Sequence, residues 1–210
     1  MIDVVHLTKK YESRFILNDI NVRFEAATIY GIVGTNGCGK TTLLRCICGF
    51  TSPTQGKVMI SNKEIGKDID FAPMMGVILE TPGFIAQYSA KENLQILASY
   101  SGRKNINEIE QVIRKVGLNP SDKRPVGKYS LGMRQKLGIA QAIMGNPKYL
   151  MLDEPFNGLD STGQSDMHIL LQEQKAKGTT VILVSHNVSD ITQACDVVYE
   201  MHEGKLYSMQ

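Results

Sequence analysis

At 210 residues and 23.3 kDa the chain is sized for one domain with a proper core, and its 42% hydrophobic and 21% charged content is that of an ordinary globular protein. A formal net charge of +2 without any Lys/Arg block argues against nucleic-acid binding, and no apolar run approaches the ~18 residues of a membrane span. The chain is expected to carry no leader, because Met1-Ile2-Asp3-Val4-Val5-His6 starts straight into a strand pattern. Cys38, Cys46, Cys48 and Cys195 lack zinc-ligand spacing, and Cys46 and Cys48, two apart on a helix, are expected to face different directions; all four read as thiols of a reducing cytoplasm.

In chain order, Val4-Val5-His6-Leu7 and Ile20-Asn21-Val22-Arg23-Phe24 predict antiparallel strands, the second with period-two alternation. Tyr11 falls in the polar stretch Lys9-Lys10-Tyr11-Glu12 between them. Its ring could stack on an adenine or be a half-buried turn tyrosine, and position favours neither. Thr28-Ile29-Tyr30-Gly31-Ile32-Val33 is a short apolar run that predicts a buried strand.

The next stretch organises the chain. Gly34-Thr35-Asn36-Gly37-Cys38-Gly39-Lys40-Thr41-Thr42 fits G-x-x-x-x-G-K-[ST], and residues 42–48 predict a helix stopped by Gly49. Strand, glycine loop and helix in that order are the setting a P-loop requires. Glycines let the backbone turn its N–H groups toward phosphate oxygens, and the helix N-terminus adds a positive dipole end. Lys40 then reaches the β- and γ-phosphates, and the Thr41 hydroxyl can ligate Mg²⁺. A dinucleotide fingerprint fails, because Thr42 occupies the third glycine position.

Gly56-Lys57-Val58-Met59-Ile60 returns to strand, and Gly76-Val77-Ile78-Leu79-Glu80 is another apolar run closed by an acid. Thr81-Pro82-Gly83-Phe84 reads as a turn, and helices follow over residues 90–100 and 106–116, ending near Gly102 and at Gly117. Residues 81–145 are taken as a helical insertion in a core made of residues 1–80 and 146–210. Within it, Ser130 is a good N-cap for a helix running to Met144, and so a second anion site, although an ordinary capped helix is the simpler reading. Tyr149-Leu150-Met151-Leu152 predicts a buried strand ending in Asp153-Glu154-Pro155. Of two acids at a strand end, one can hold Mg²⁺ through its water shell and the other can orient or deprotonate an attacking water. A helix over residues 160–177, capped by Asp160 or Ser161, leads to the strand Thr179-Thr180-Val181-Ile182-Leu183-Val184 and then Ser185-His186. A lone histidine is usually structural, but parallel strands would put this one on the edge that carries the acids. Residues 196–201 and 205–207 close as a hairpin around Glu203-Gly204. Alternating strands and helices around a P-loop give an α/β sheet with helices on both faces.

In this order the segments resemble the nucleotide-binding subunit of an ABC transporter over essentially the whole chain. Residues 34–42 are similar to that family's Walker A, residues 150–154 to its Walker B and catalytic glutamate, and residues 129–133 to its signature. Asn157-Gly158-Leu159-Asp160 resembles the D-loop, His186 the switch histidine, and Tyr11 the adenine-stacking aromatic. The resemblance implies a P-loop NTPase core with a mainly parallel sheet, an N-terminal antiparallel β subdomain and a helical subdomain. It implies a Mg²⁺-dependent ATPase in which Glu154, His186 and Lys40 are catalytic and Thr41, Glu80 and Asp153 face the metal. ATP would be held by Tyr11, by Gly34, Thr35, Asn36, Gly37, Cys38, Gly39, Lys40, Thr41 and Thr42, and by Ser130 and Gly132 of a second ATP-binding subunit, identical or not. The implied partner is a polytopic transmembrane permease, docked over residues 80–93 with Phe84 and Tyr88, at the cytoplasmic face of the membrane; no nucleic acid is implied.

Tyr-Ser-Leu-Gly-Met stands at residues 129–133 where Leu-Ser-Gly-Gly-Gln is usual, Glu80 where the family has a glutamine, and Ala27 where a glycine is usual. Residues 129–140 are similar to the bacitracin and lantibiotic export and immunity branch, which implies handling of a peptide antibiotic or drug. A soluble ABC-type ATPase acting on DNA or ribosomes would need a coiled-coil insert or tandem cassettes. A nucleoside kinase or GTPase leaves the series from Asp153-Glu154 to His186 unexplained, and the guanine-reading Asn-Lys-x-Asp is absent; Glu154 argues against a poorly hydrolysing regulator, which kinetics would decide.

Overall fold

The computed structural model describes residues 1–80, 83–100 and 106–209. Strands β1 (Ile2–Tyr11) and β2 (Arg14–Phe24) pair antiparallel from Ile2↔Phe24 to Tyr11↔Arg14. The chain then enters β3 (Ile29–Val33), passes the glycine loop and forms α1 (Lys40–Cys48). It returns as β4 (Gln55–Ile60), antiparallel to β1, with the short β5 (Lys63–Glu64) at its side, completing a sheet of order β2-β1-β4-β5. Strand β6 (Met75–Ile78) precedes α2 (Ala90–Tyr100), α3 (Ile106–Lys115) and α4 (Leu131–Ile143). Then follow β7 (Tyr149–Asp153), α5 (Ser161–Ala176), β8 (Thr180–Ser185), α6 (Val188–Ala194) and the hairpin β9 (Val197–His202) and β10 (Lys205–Met209). The second sheet has the order β10-β9-β3-β8-β7-β6, parallel except for the β9–β10 pair.

Strands β3, β7 and β8 are buried at every residue, which is why they read as continuous apolar runs. Their alternate residues enter two different cores. Ile29, Leu150, Leu152, Val181 and Leu183 pack with Leu94, Ile113, Leu137 and Leu171 of the helices. Tyr30, Ile32, Met151, Ile182 and Val184 pack with Leu43, Leu44 and Ile47 of α1 and with Ile2, Leu17 and Phe24 of the antiparallel sheet. Helix α1 therefore lies between the two sheets. Cys46 and Cys48, expected to face different directions, are both buried in this second core, and all four cysteines are free thiols.

The register sets the site. Val33 lies opposite Ser185, and Asp153 opposite Val184. The glycine loop, the Asp153-Glu154 pair and Ser185-His186 thus leave the sheet at one edge.

Three expectations are revised. Helix α1 starts at Lys40 rather than Thr42, because Gly39, at φ 116°, already caps it. Tyr11 ends β1 opposite Arg14 rather than lying in a long turn, since Lys9 and Lys10 are paired within the sheet. Helix α6, unforeseen, has seven residues, too few to show a helical period. The Thr81-Pro82 part of the expected turn and the helix stop at Gly102 lie outside the described residues.

Candidate active site

The loop between β3 and α1 forms the floor of a cleft of about 540 Å³. Its shape depends on Gly39: a Cβ there would stand 2.7 Å from the Ile16 carbonyl oxygen, and its φ suits only glycine. No side chain caps the N-terminus of α1, so its first N–H groups are left for an anion. Asn36, Gly37, Gly39, Lys40, Thr41 and Thr42 line the cleft from the loop side. Gly34 and Thr35 lie beneath it, their carbonyls accepting from the Lys40 ammonium at 2.6 and 3.1 Å. Cys38 is half-buried and packs against the second core.

Across the loop stand the strand-end acids. The Thr41 hydroxyl donates to Asp153 Oδ2 at 2.6 Å. Asp153 is buried, and that burial holds its carboxyl above the ordinary range; the Thr41 hydrogen bond and Lys40 oppose the rise, while the charges of Glu154 and Glu80 add to it. A divalent cation beside Thr41 and Asp153 would relieve that penalty. Among the described residues no group of three His, Cys, Asp or Glu side chains could hold a metal alone. A Mg²⁺ ion bound by one hydroxyl, one carboxylate, water and phosphate needs none, so the residues fit the ion.

Glu154 takes a left-handed φ of 49°, with its N–H on the Val184 carbonyl at 2.9 Å. Its Oε2 accepts from Ser185 Oγ at 2.9 Å; its Oε1 accepts from the His186 N–H at 2.9 Å and from Nδ1 of the His186 ring at 2.8 Å, with the proton assigned to Nδ1. His186 is therefore brought to the site through Glu154. Glu80 lines the cleft at φ 62°, and its carboxylate accepts from the Arg45 guanidinium at 2.9 Å. Tyr11 also lines the cleft, as does Ile16; Tyr11 is 53% exposed, with Lys9 Nζ 5.0 Å from the ring centroid.

Ser130 and Gly132 are not part of this cleft. They line a separate hollow of about 460 Å³ with Gly158 and Asp160, and of the same turn only Leu131 reaches the loop side. Ser130 caps α4 by accepting from the Met133 N–H. Gly132 lies so close to the following loop that a Cβ would meet the Gly158 carbonyl oxygen at 2.4 Å.

Sequence reading missed Ile16, Gln135, Asn157 and Leu131 as cleft residues, and Arg45 as the partner of Glu80. Gln135 offered a signal. It is a polar residue at a buried position of α4, and its amide donates to the carbonyls of Glu154 and Pro155 at 3.3 and 3.1 Å.

Residues 17–157 match the family described as ABC transporter. The chain is 42% identical over 206 residues to an uncharacterized ABC transporter ATP-binding protein, YybJ, of Bacillus subtilis, covering 98% of this chain and 94% of that protein. It is 40% identical to the bacitracin transport ATP-binding protein BcrA of Enterococcus faecalis (98% and 68% covered) and 34% identical to the lantibiotic transport ATP-binding protein SrtF of Streptococcus pyogenes (98% and 89%). Among solved structures it superposes on an ATP binding subunit of an ABC transporter with a TM-score of 0.87 at 26% identity, covering 98% of this chain and 88% of that one. A dimeric bacterial ABC transporter cassette gives 0.88 at 22% identity, with 98% and 96% covered, which speaks for the fold alone. Among the described residues no helix is long and apolar enough to cross a membrane. The chain belongs to the ABC transporter family, as an ATP-binding subunit built on that family's cassette fold.

Proposed function

We propose that this chain is a Mg²⁺-dependent ATPase that works as one half of a cassette dimer and powers a separate transmembrane permease. The observation that carries the reading is the division of the candidate residues: Tyr11, the glycine loop, Asp153 and Glu154 share one cleft, while Ser130 and Gly132 line another hollow. A second subunit, identical or not, would bring its Ser130 and Gly132 over the phosphates held by the first. A capped helix start facing a γ-phosphate is sound chemistry for that contact.

Within one site, Tyr11 stacks on the base, and the amides of residues 34–42 and the Lys40 ammonium hold the phosphates. Thr41 and Asp153 would hold Mg²⁺, which would supply positive charge against the phosphates, and Glu80 of the same cleft would add a carboxylate. Glu154 takes the proton from the attacking water, and His186 holds Glu154 and senses the γ-phosphate. Loss of that phosphate releases the partner's helix, so ATP acts as a switchable link between subunits.

Residues 81–145 form the helical subdomain of this reading, and the permease docks over residues 80–93, where Tyr88 is exposed and Phe84 partly buried. Two relatives named for bacitracin and lantibiotic transport support export of, or immunity to, a peptide antibiotic or drug, at the cytoplasmic face of the membrane.

Two measurements test this together. Phosphate release and light scattering with ATP, with and without Mg²⁺, should show a dimer and turnover only with the metal, and neither for Lys40→Ala. Phe84→Ser with Tyr88→Ser should then abolish co-purification of a polytopic membrane protein from the native membrane while ATP binding persists. Turnover without dimerisation, or co-purification unaffected by the two substitutions, overturns the corresponding part.

A further inference from the structure

We propose that Ser185 is a positioning residue that sets the plane of the Glu154 carboxylate; the inference rests on the reading of Glu154 as general base. Ser185 is the last residue of β8 and only 2% exposed. Its hydroxyl oxygen accepts from the Asn187 N–H at 3.0 Å, and its proton goes to Glu154 Oε2 at 2.9 Å. A hydroxyl has one proton to give. With that proton committed to a carboxylate oxygen, its direction is settled and the bond is charge-assisted.

The two carboxylate oxygens are held differently. Oε1 has two anchors, one of them the backbone N–H of His186, which every substitution but proline keeps. Oε2 accepts from the Ser185 hydroxyl on the sheet side. Two anchors on one oxygen fix where the head group sits but leave the last torsion of glutamate, a broad and roughly two-fold one, soft. The Ser185 hydroxyl closes that freedom. The register supports it, since Asp153 lies opposite Val184 and the Glu154 N–H bonds the Val184 carbonyl, so Glu154 and Ser185 leave adjacent strands side by side. A base must present its lone pair to water within ~2.6–3.2 Å, and a 1 Å misplacement of reacting groups can cost about 100-fold. Rotation of the carboxylate plane is a smaller displacement, and about tenfold in kcat is expected, with no change in ATP affinity.

The test is steady-state hydrolysis plus single-turnover kinetics on the full-length dimer with Mg²⁺-ATP. Ser185→Ala should lower kcat about tenfold at unchanged KM, and Ser185→Thr, which keeps the hydroxyl, should recover most of it. In the Glu154→Gln background, Ser185→Ala should cost nothing further, because the group it orients is gone. A parental kcat for Ser185→Ala, or an equal further loss on top of Glu154→Gln, overturns the proposal and leaves Ser185 only its turn contact with the Asn187 N–H. If Glu154→Gln itself hydrolyses at the parental rate, the base reading fails instead, and the two failures are told apart by that single control.

Discussion

Replacing Glu154 by Gln isolates charge from shape unusually well at this site. The glutamine carbonyl oxygen can take the place of Oε1 and accept from the His186 N–H and from Nδ1, which lie 2.9 and 2.8 Å from it in the parent. The amide nitrogen then faces Ser185 Oγ, which keeps a free lone pair after accepting from Asn187. Each of these atoms keeps a partner, but the hydroxyl proton of buried Ser185 loses its carboxylate acceptor, and the charge-assisted part of the hydrogen bonds is lost. With the Glu154 side chain still 22% exposed, stability should fall by about 1–2 kcal/mol, a shift of roughly 2–8 °C in Tm. Loss of the base should lower hydrolysis by about 10²–10⁴-fold, roughly 3–5 kcal/mol on the barrier. Lys40, Thr41 and Asp153 are untouched, so nucleotide binding should persist and the ATP-bound dimer should accumulate on size exclusion. Parental phosphate release, or a protein that stays monomeric with Mg²⁺-ATP, would refute the assignment.

The remaining expectations concern charge and thiols. Burial raises the Asp153 carboxyl above 3.8, so the stability this group allows is complete below that value and is lost as pH rises through the raised one; Asp153→Asn should therefore melt higher than the parent at pH 7, with the gap closing on acidification, while losing Mg²⁺-dependent nucleotide binding. A melting gap that widens toward acid would contradict the sign. Arg45→Ala leaves the Glu80 carboxylate unpaired in a cleft that already holds Asp153 and Glu154. Measured without Mg²⁺, so that Glu80 acts by its charge alone, it should weaken ATP binding about 3- to 10-fold at low salt, less in 0.5 M salt, with Glu80→Gln restoring it, because the pair is exposed and screened. A double variant no better than Arg45→Ala would exclude Glu80 as the source. Burial pushes the thiols of Cys46, Cys48 and Cys195 to about 11, 12 and 12, so at pH 8 they stay protonated and only Cys38 should react with a thiol reagent, with all four reacting after denaturation. Fast labelling of a buried thiol in the native protein would contradict the packing of α1 or β3.

What was legible follows from how local each signal is. The glycine loop, the acids after Leu152 and the cap at Ser130 are set by neighbours in sequence, and strands β3, β7 and β8 announce themselves because both faces are buried. That His186 shares the sheet edge of Asp153-Glu154 was legible from the strand ends, but the contacts themselves were not: His186 meets Glu154 across 32 positions, and Arg45 meets Glu80 across 35. Only the strand order β3-β8-β7 brings His186 to Glu154, and no periodicity encodes that order. Tyr11 was placed in a turn because Lys9 and Lys10 look like loop residues, yet β1 lies inside its sheet and pairs them with Leu17 and Phe15. The division between the loop cleft and the Ser130 hollow depends on how α4 meets the loop after β7, at Gly132 and Gly158, a contact of backbones that side-chain patterns cannot express.

The central claim is a nucleotide site completed by two subunits, and a mixed dimer tests it most directly. One subunit carries Ser130→Arg, an exposed position where a larger side chain can be borne, and the other carries Lys40→Ala. Purified through two different tags, the mixed dimer should bind one Mg²⁺-ATP tightly. Both substitutions then fall on one composite site, and the second site keeps a parental loop and a parental Ser130. Two sites of equally reduced affinity would show that Ser130 serves the nucleotide of its own chain, and would contradict the account.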